Sequence, residues 1–148
     1  MATMISTSFV LLLALSATQP GDVPIYPFPN QGEAFHDWLI CGPFSNAPGA
    51  DIINYKHDQR CLGFWEDFLA PMGGEARANP RDGDSVTDSA SGQKFIWRRC
   101  HSESDLVPFD TLFSPNQLVV SYAFCLVESA SRTPAILSVG SNDGIRVF

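Results

Sequence analysis

Residues 118–129, LVVSYAFCLVES, limit what this chain can fold into more than any other stretch. Strand side chains alternate between two faces. One face would carry Leu118, Val120, Tyr122, Phe124 and Leu126, the other Val119, Ser121, Ala123, Cys125 and Val127. The first set is bulky and predicts a core. The second is small and uncharged, and predicts cover by a loop or a neighbouring element. A strand apolar on both faces belongs inside a sheet, so the rest of the chain must supply two covering layers.

That cover is built from short pieces. Eleven prolines and eleven glycines in 148 residues favour turns and short strands over long helices. WLICGPF (38–44) reads as a first strand, with Pro43 ending its regular pairing or placing it at an edge. KFIWRRC (94–100) is a second strand of aromatic and β-branched type. In GFWEDFLAPMGGEA (63–76), Phe64, Trp65, Phe68 and Leu69 have helical spacing, which predicts one or two turns before a Gly-Gly stop. DLVPFDTLF (105–113) connects with apolar anchors. AILSVGSNDGIRVF (135–148) reads as a hairpin whose turn is Asn142, Asp143 and Gly144. These pieces predict an all-β fold, a jelly-roll-like antiparallel β-sandwich with one short helical segment. Five or six strands fall short of the roughly eight of a jelly roll. The sandwich is therefore expected to be incomplete, and the sequence to be part of a longer polypeptide.

Residues 9–15, FVLLLAL in effect, form an apolar run followed by small residues and Pro20-Gly21. This is the pattern of a secretory leader, with cleavage after Ser16 or Ala17. The run is too short to span a bilayer. The expected organisation is a signal peptide at 1–17, a proline-rich lead-in at 18–35 and a β-sandwich at 36–148. The expected location is secreted, periplasmic or cell-surface. Export would permit disulfides among Cys41, Cys61, Cys100 and Cys125. Cys41 and Cys125 sit inside strand-like runs as small hydrophobes, which leaves Cys61 and Cys100 as the better pair.

The net charge of −7 repels phosphate backbones, so no nucleic-acid partner is expected. No catalytic residue is assigned. GDSVT (83–87) matches an esterase nucleophile block, but NPRD precedes it where an apolar strand should. Glu66, Asp67, Glu75 and Asp110 read as surface acids. Asp51 and Asp58, or Asn142 and Asp143, are oxygen donors of the kind calcium takes, without the spacing of an EF-hand. Turn chemistry is the simpler role for Asn142 and Asp143. No other cofactor is expected. Tyr55 and Trp65 lie in or beside loops and are the candidate platforms for a sugar ring, whose C–H face is apolar. Trp38 and Trp97 lie in strands and belong to the core.

Taken in order, WLICGPF (38–44), FLAPMGGEA (68–76), Trp97, DLVPFDTLF (105–113), QLVVSYAFCLVES (117–129) and ILSVGSNDGIRVF (136–148) resemble a family of secreted bacterial accessory modules. These are jelly-roll sandwiches similar to galactose-binding-like domains and to the lectin-like domain of protective antigen. In that family the last piece usually carries Ser-Asp-Asp-Gly and runs on to Asn-Gly. Here Asn142 replaces the first Asp and the sequence stops at Phe148. The resemblance implies a noncatalytic module that binds glycan or acts as a spacer, with further domains of the same polypeptide as partners. The alternative is the N-terminal part of a secreted hydrolase whose catalytic residues lie beyond residue 148.

Overall fold

The computed structural model describes residues 7–14, 23–27, 32–46, 62–132, 134–141 and 144–148. Within them the fold is all-β, with a few short helical turns. The strands are β1 (Thr7–Ala14), β2 (Ile25–Pro27), β3 (Asp37–Ser45), β4 (Ser85–Thr87), β5 (Lys94–Ile96), β6 (Arg98–His101), β7 (Val119–Glu128) and β8 (Ile145–Val147). The helical pieces are α1 (Leu62–Trp65), a 3-10 turn at Ala70–Met72 and α2 (Phe109–Leu112).

The main sheet runs β6-β3-β7-β1-β8, with β2 also paired to β7. β4 and β5 form a separate antiparallel pair. The antiparallel expectation holds for β3 with β6 and for β3 with β7. It does not hold for the rest of the main sheet. β1 runs parallel to β7 over eight residues and parallel to β8, and β2 is parallel to β7. The sheet is therefore mixed.

β7 lies in the sheet interior, and Val119 to Leu126 are buried on both faces. On one face Val120, Tyr122, Phe124 and Leu126 pack with Leu39, Cys41, Phe44, Phe68, Leu69 and Trp97. The β4–β5 pair closes this side through Val86 and Phe95. Phe44 is the joint between the layers, its ring 4.4 Å from Phe95, 4.7 Å from Phe68 and 5.5 Å from Tyr122. On the other face Ala123 and Cys125 pack with Trp38, Ile40, Phe109 and Phe113 beneath α2. Two cores on two sides of one sheet are what the two apolar faces of residues 118–129 require.

Pro43 does not place β3 at an edge. β3 has neighbours on both sides, and its register with β7 shifts between Cys41 and Phe44. A bulge removes the need for a donor at Pro43 and lets pairing resume at Phe44. Gly42 makes this possible. Its φ is +143°, and a Cβ there would lie 2.8 Å from Ser121 Oγ.

KFIWRRC forms two strands rather than one. Trp97 is fully buried at the break, where its N–H donates to Asp84 and its carbonyl accepts from Gly83. The chain thus passes at Trp97 from the small sheet into the main one. The hairpin expected at 135–148 is also absent: residues 134–141 carry no ladder, and β8 pairs with β1 instead. Asn142 and Asp143 lie outside the described residues. Gly144 has a packing role, since a Cβ there would meet the Phe64 ring at 3.0 Å.

Candidate functional site

α1 begins where β3 ends. Gly63 lies directly against the strand terminus, so that a Cβ would sit 2.3 Å from the Ser45 carbonyl oxygen and 2.7 Å from Asn46 Cα. Asn46 is fully buried, and its Oδ1 accepts the Phe64 N–H at 2.8 Å. This docking fixes the next residue, Trp65, on the surface, 64% exposed.

Arg146 of β8 reaches the same place. Its guanidinium lies 5.7 Å from the Trp65 ring centre and 4.8 Å from that of Phe148. One nitrogen donates to the Phe64 carbonyl at 3.1 Å and another pairs with Glu75 Oε2 at 3.2 Å. The remaining Glu75 oxygen accepts the Tyr122 hydroxyl at 2.9 Å. A polar chain therefore runs from exposed Trp65 through Arg146 and Glu75 to Tyr122 in the core. Asp67 supports it, its carboxylate accepting the N–H groups of Leu69 and Glu75.

Glu75 is the main correction to the reading of surface acids, because it is only 4% exposed and paired. Burial raises its pKa above the usual carboxylate range, opposed by the Tyr122 hydrogen bond and the Arg146 charge. Burial, followed by the Glu75 charge, also raises the Tyr122 phenol. Sequence spacing gives no sign of this set, whose members come from a loop, β7 and β8.

A second feature is a cavity of about 470 Å³ at the start of β3. Ile25, Trp38 and Cys100 form its apolar wall, and Asp37, Arg99 and His101 its polar rim. His101 Nδ1 lies 2.6 Å from Asp37 Oδ1 and Nε2 lies 3.7 Å from Glu103. The Asp37 hydrogen bond raises the His101 pKa. Among the described residues no serine or cysteine side chain bonds the His101 ring. Burial raises the neighbouring Cys100 thiol, the reverse of what an activated nucleophile needs.

Ser85 of the GDSVT block is exposed on β4, in register with Ile96. Trp38 and Trp97 are core residues, as expected. Tyr55, Asp51 and Asp58 lie outside the described residues, as does Cys61. Cys41, Cys100 and Cys125 are free thiols, with Cys41 and Cys125 pushed up to about 12 by burial. Among the described residues no group of three His, Cys, Asp or Glu side chains is placed to hold a metal ion. Nor is any described helix long and apolar enough to cross a membrane.

No family model, curated protein or solved structure matches this chain.

Proposed function

We propose that the chain is a noncatalytic β-sandwich module of an exported protein, of jelly-roll type, and that its ligand is a glycan bound on the Trp65 face. The observation that carries this reading is Trp65 itself. An indole left 64% exposed, yet held in place by a docked helical turn and a guanidinium, is a prepared apolar surface. Sugar rings stack on such surfaces through their C–H faces, while their hydroxyls need polar partners alongside. Arg146 stands beside the ring as such a partner. The resemblance described from the sequence supports the same class. The alternative, the N-terminal part of a secreted hydrolase, would draw its catalytic residues from beyond residue 148 and has no observation of its own among the described residues.

The test is retention of the full chain on insoluble polysaccharides. Binding should be retained by Trp65→Phe and weakened roughly tenfold by Trp65→Ala, the scale of one aromatic stacking contact. If the intact chain is not retained on any polysaccharide, glycan binding is wrong and a spacer role remains. Retention unchanged in Trp65→Ala would move the site away from this face.

A further inference from the structure

The apolar segment at 135–140, AILSVG, has strand composition but no ladder. Ile136 is 97% exposed, Val139 44% and Leu137 39%. Three exposed apolar residues in a row of six call for cover. β7, which ends seven residues before Ala135, offers a fitting edge, which β1 occupies in this structure.

The geometry identifies that edge. Asn46, just past the end of β3, donates to the Leu118 carbonyl, and the Leu126 N–H donates to Pro24. Alternate residues of a strand turn their backbone groups to the same edge. Residues 118 and 126 therefore both face the β3 side, and β2 shares that side. Among the described residues the opposite edge of β7 is held by β1 alone, from Thr7↔Val119 to Ala14↔Leu126.

We propose that β1 is a placeholder, and that residues 135–140 take its seat as an antiparallel partner of β7 once residues 1–17 are removed. This rests on the export reading, because β1 lies inside the expected leader. Removal would strip eight residues of pairing from β7 and take from β8 its partner in the sheet. A buried strand with an unpaired edge is costly, and an adjacent apolar segment relieves that cost. The connection is short, since β7 ends at Glu128 and six residues lead to Ala135. Closing a hairpin of that length costs far less chain entropy than pairing residues 7–14 with 119–126.

The alternation supports one register. A turn centred on Ser131 and Arg132 would set Leu137 opposite Leu126 and Val139 opposite Phe124. Leu126 and Phe124 belong to the larger core, so both exposed residues would enter it. Ile136 would fall opposite Val127 on the other face. The odd-numbered residues of β7, which face the freed edge, would then bond the amides of Ile136, Ser138 and Gly140.

Amide exchange reads the change directly. In the full chain the amides of Ile136, Ser138 and Gly140 should exchange fast. In protein recovered from an exporting host and shown by intact mass to lack residues 1–17, they should slow by about a hundredfold or more. A full-length Leu11→Pro variant, which cannot keep β1 in the ladder, should show the same protection. Fast exchange at the three amides in both shortened and Leu11→Pro protein would overturn the proposal, and so would loss of the folded state in both. If the exported protein keeps residues 1–17, the export reading fails, and Leu11→Pro alone decides the strand exchange.

Discussion

Glu75 holds a carboxylate almost out of water, and the pH dependence of stability should record it. Its folded pKa lies above the ordinary value of 4.5, with burial as the largest cause. The folded protein therefore binds a proton that the unfolded chain has already released. Stability from this group is greatest below pH 4.5 and falls as the pH rises through the folded pKa. Glu75→Gln keeps the shape and an acceptor for Tyr122 but removes the titration. Urea melts across pH 4 to 7 should show the wild type losing stability relative to Glu75→Gln as the pH rises. Equal slopes for the two proteins would mean that Arg146 and Tyr122 fully offset the burial. His101 acts in a separate window, since its pKa is raised from 6.5 by Asp37 and its contribution is lost only as the pH climbs above that value. Residues of this kind were not legible in the sequence. Glu75 looks like any acid after Gly-Gly, and nothing local marks Tyr122 and Arg146 as its partners. The exposure of Trp65 was not legible either, because its spacing with Phe64, Phe68 and Leu69 gives it to an apolar stripe.

At the scale of elements, what the sequence made plain is what depends on local alternation. Residues 118–129 sort into the two faces expected, and Phe109 and Phe113 are apolar anchors of the connection between strands, as expected of that segment. Junctions were less legible, because they depend on which backbone approaches which. Gly63 is the clearest case. Its missing side chain is what lets α1 rest on Ser45 and Asn46, at distances no Cβ tolerates. Both obstructing atoms nearest to it are backbone, so neither can rotate away. Gly63→Ala should cost about 2–3 kcal/mol, the scale of overpacking a tight contact. It should also loosen the Trp65 face, since the Asn46–Phe64 hydrogen bond is made across that contact. Thermal melting measures the first effect, and loss of polysaccharide retention the second. A variant with unchanged melting would show that α1 is not seated on β3 as described.

The whole molecule is held by one strand shared between two cores, and this makes the buried thiols reporters of global opening. Cys41 faces the larger core and Cys125 the smaller, each fully buried and with a thiol pushed up to about 12. Neither forms much thiolate at neutral pH, and no reagent reaches them while the cores that cover them stay closed. Cys41 and Tyr122 are directly opposed in that ladder, and Cys125 follows one residue beyond Phe124, the partner of Leu39. A fluctuation that frees either thiol must breach the core that covers it, and because β7 is shared by both cores the two openings are expected to be coupled. Reaction with an aromatic disulfide reagent should be slow for both residues, at similar rates set by opening of the sheet, and should accelerate together in denaturant. Cys100, at the edge strand β6 beside the cavity, should react earlier. Mass spectrometry of partly labelled protein separates the three sites. Early labelling of Cys125 without Cys41 would divide the molecule into two independently opening cores, with the face beneath α2 the weaker.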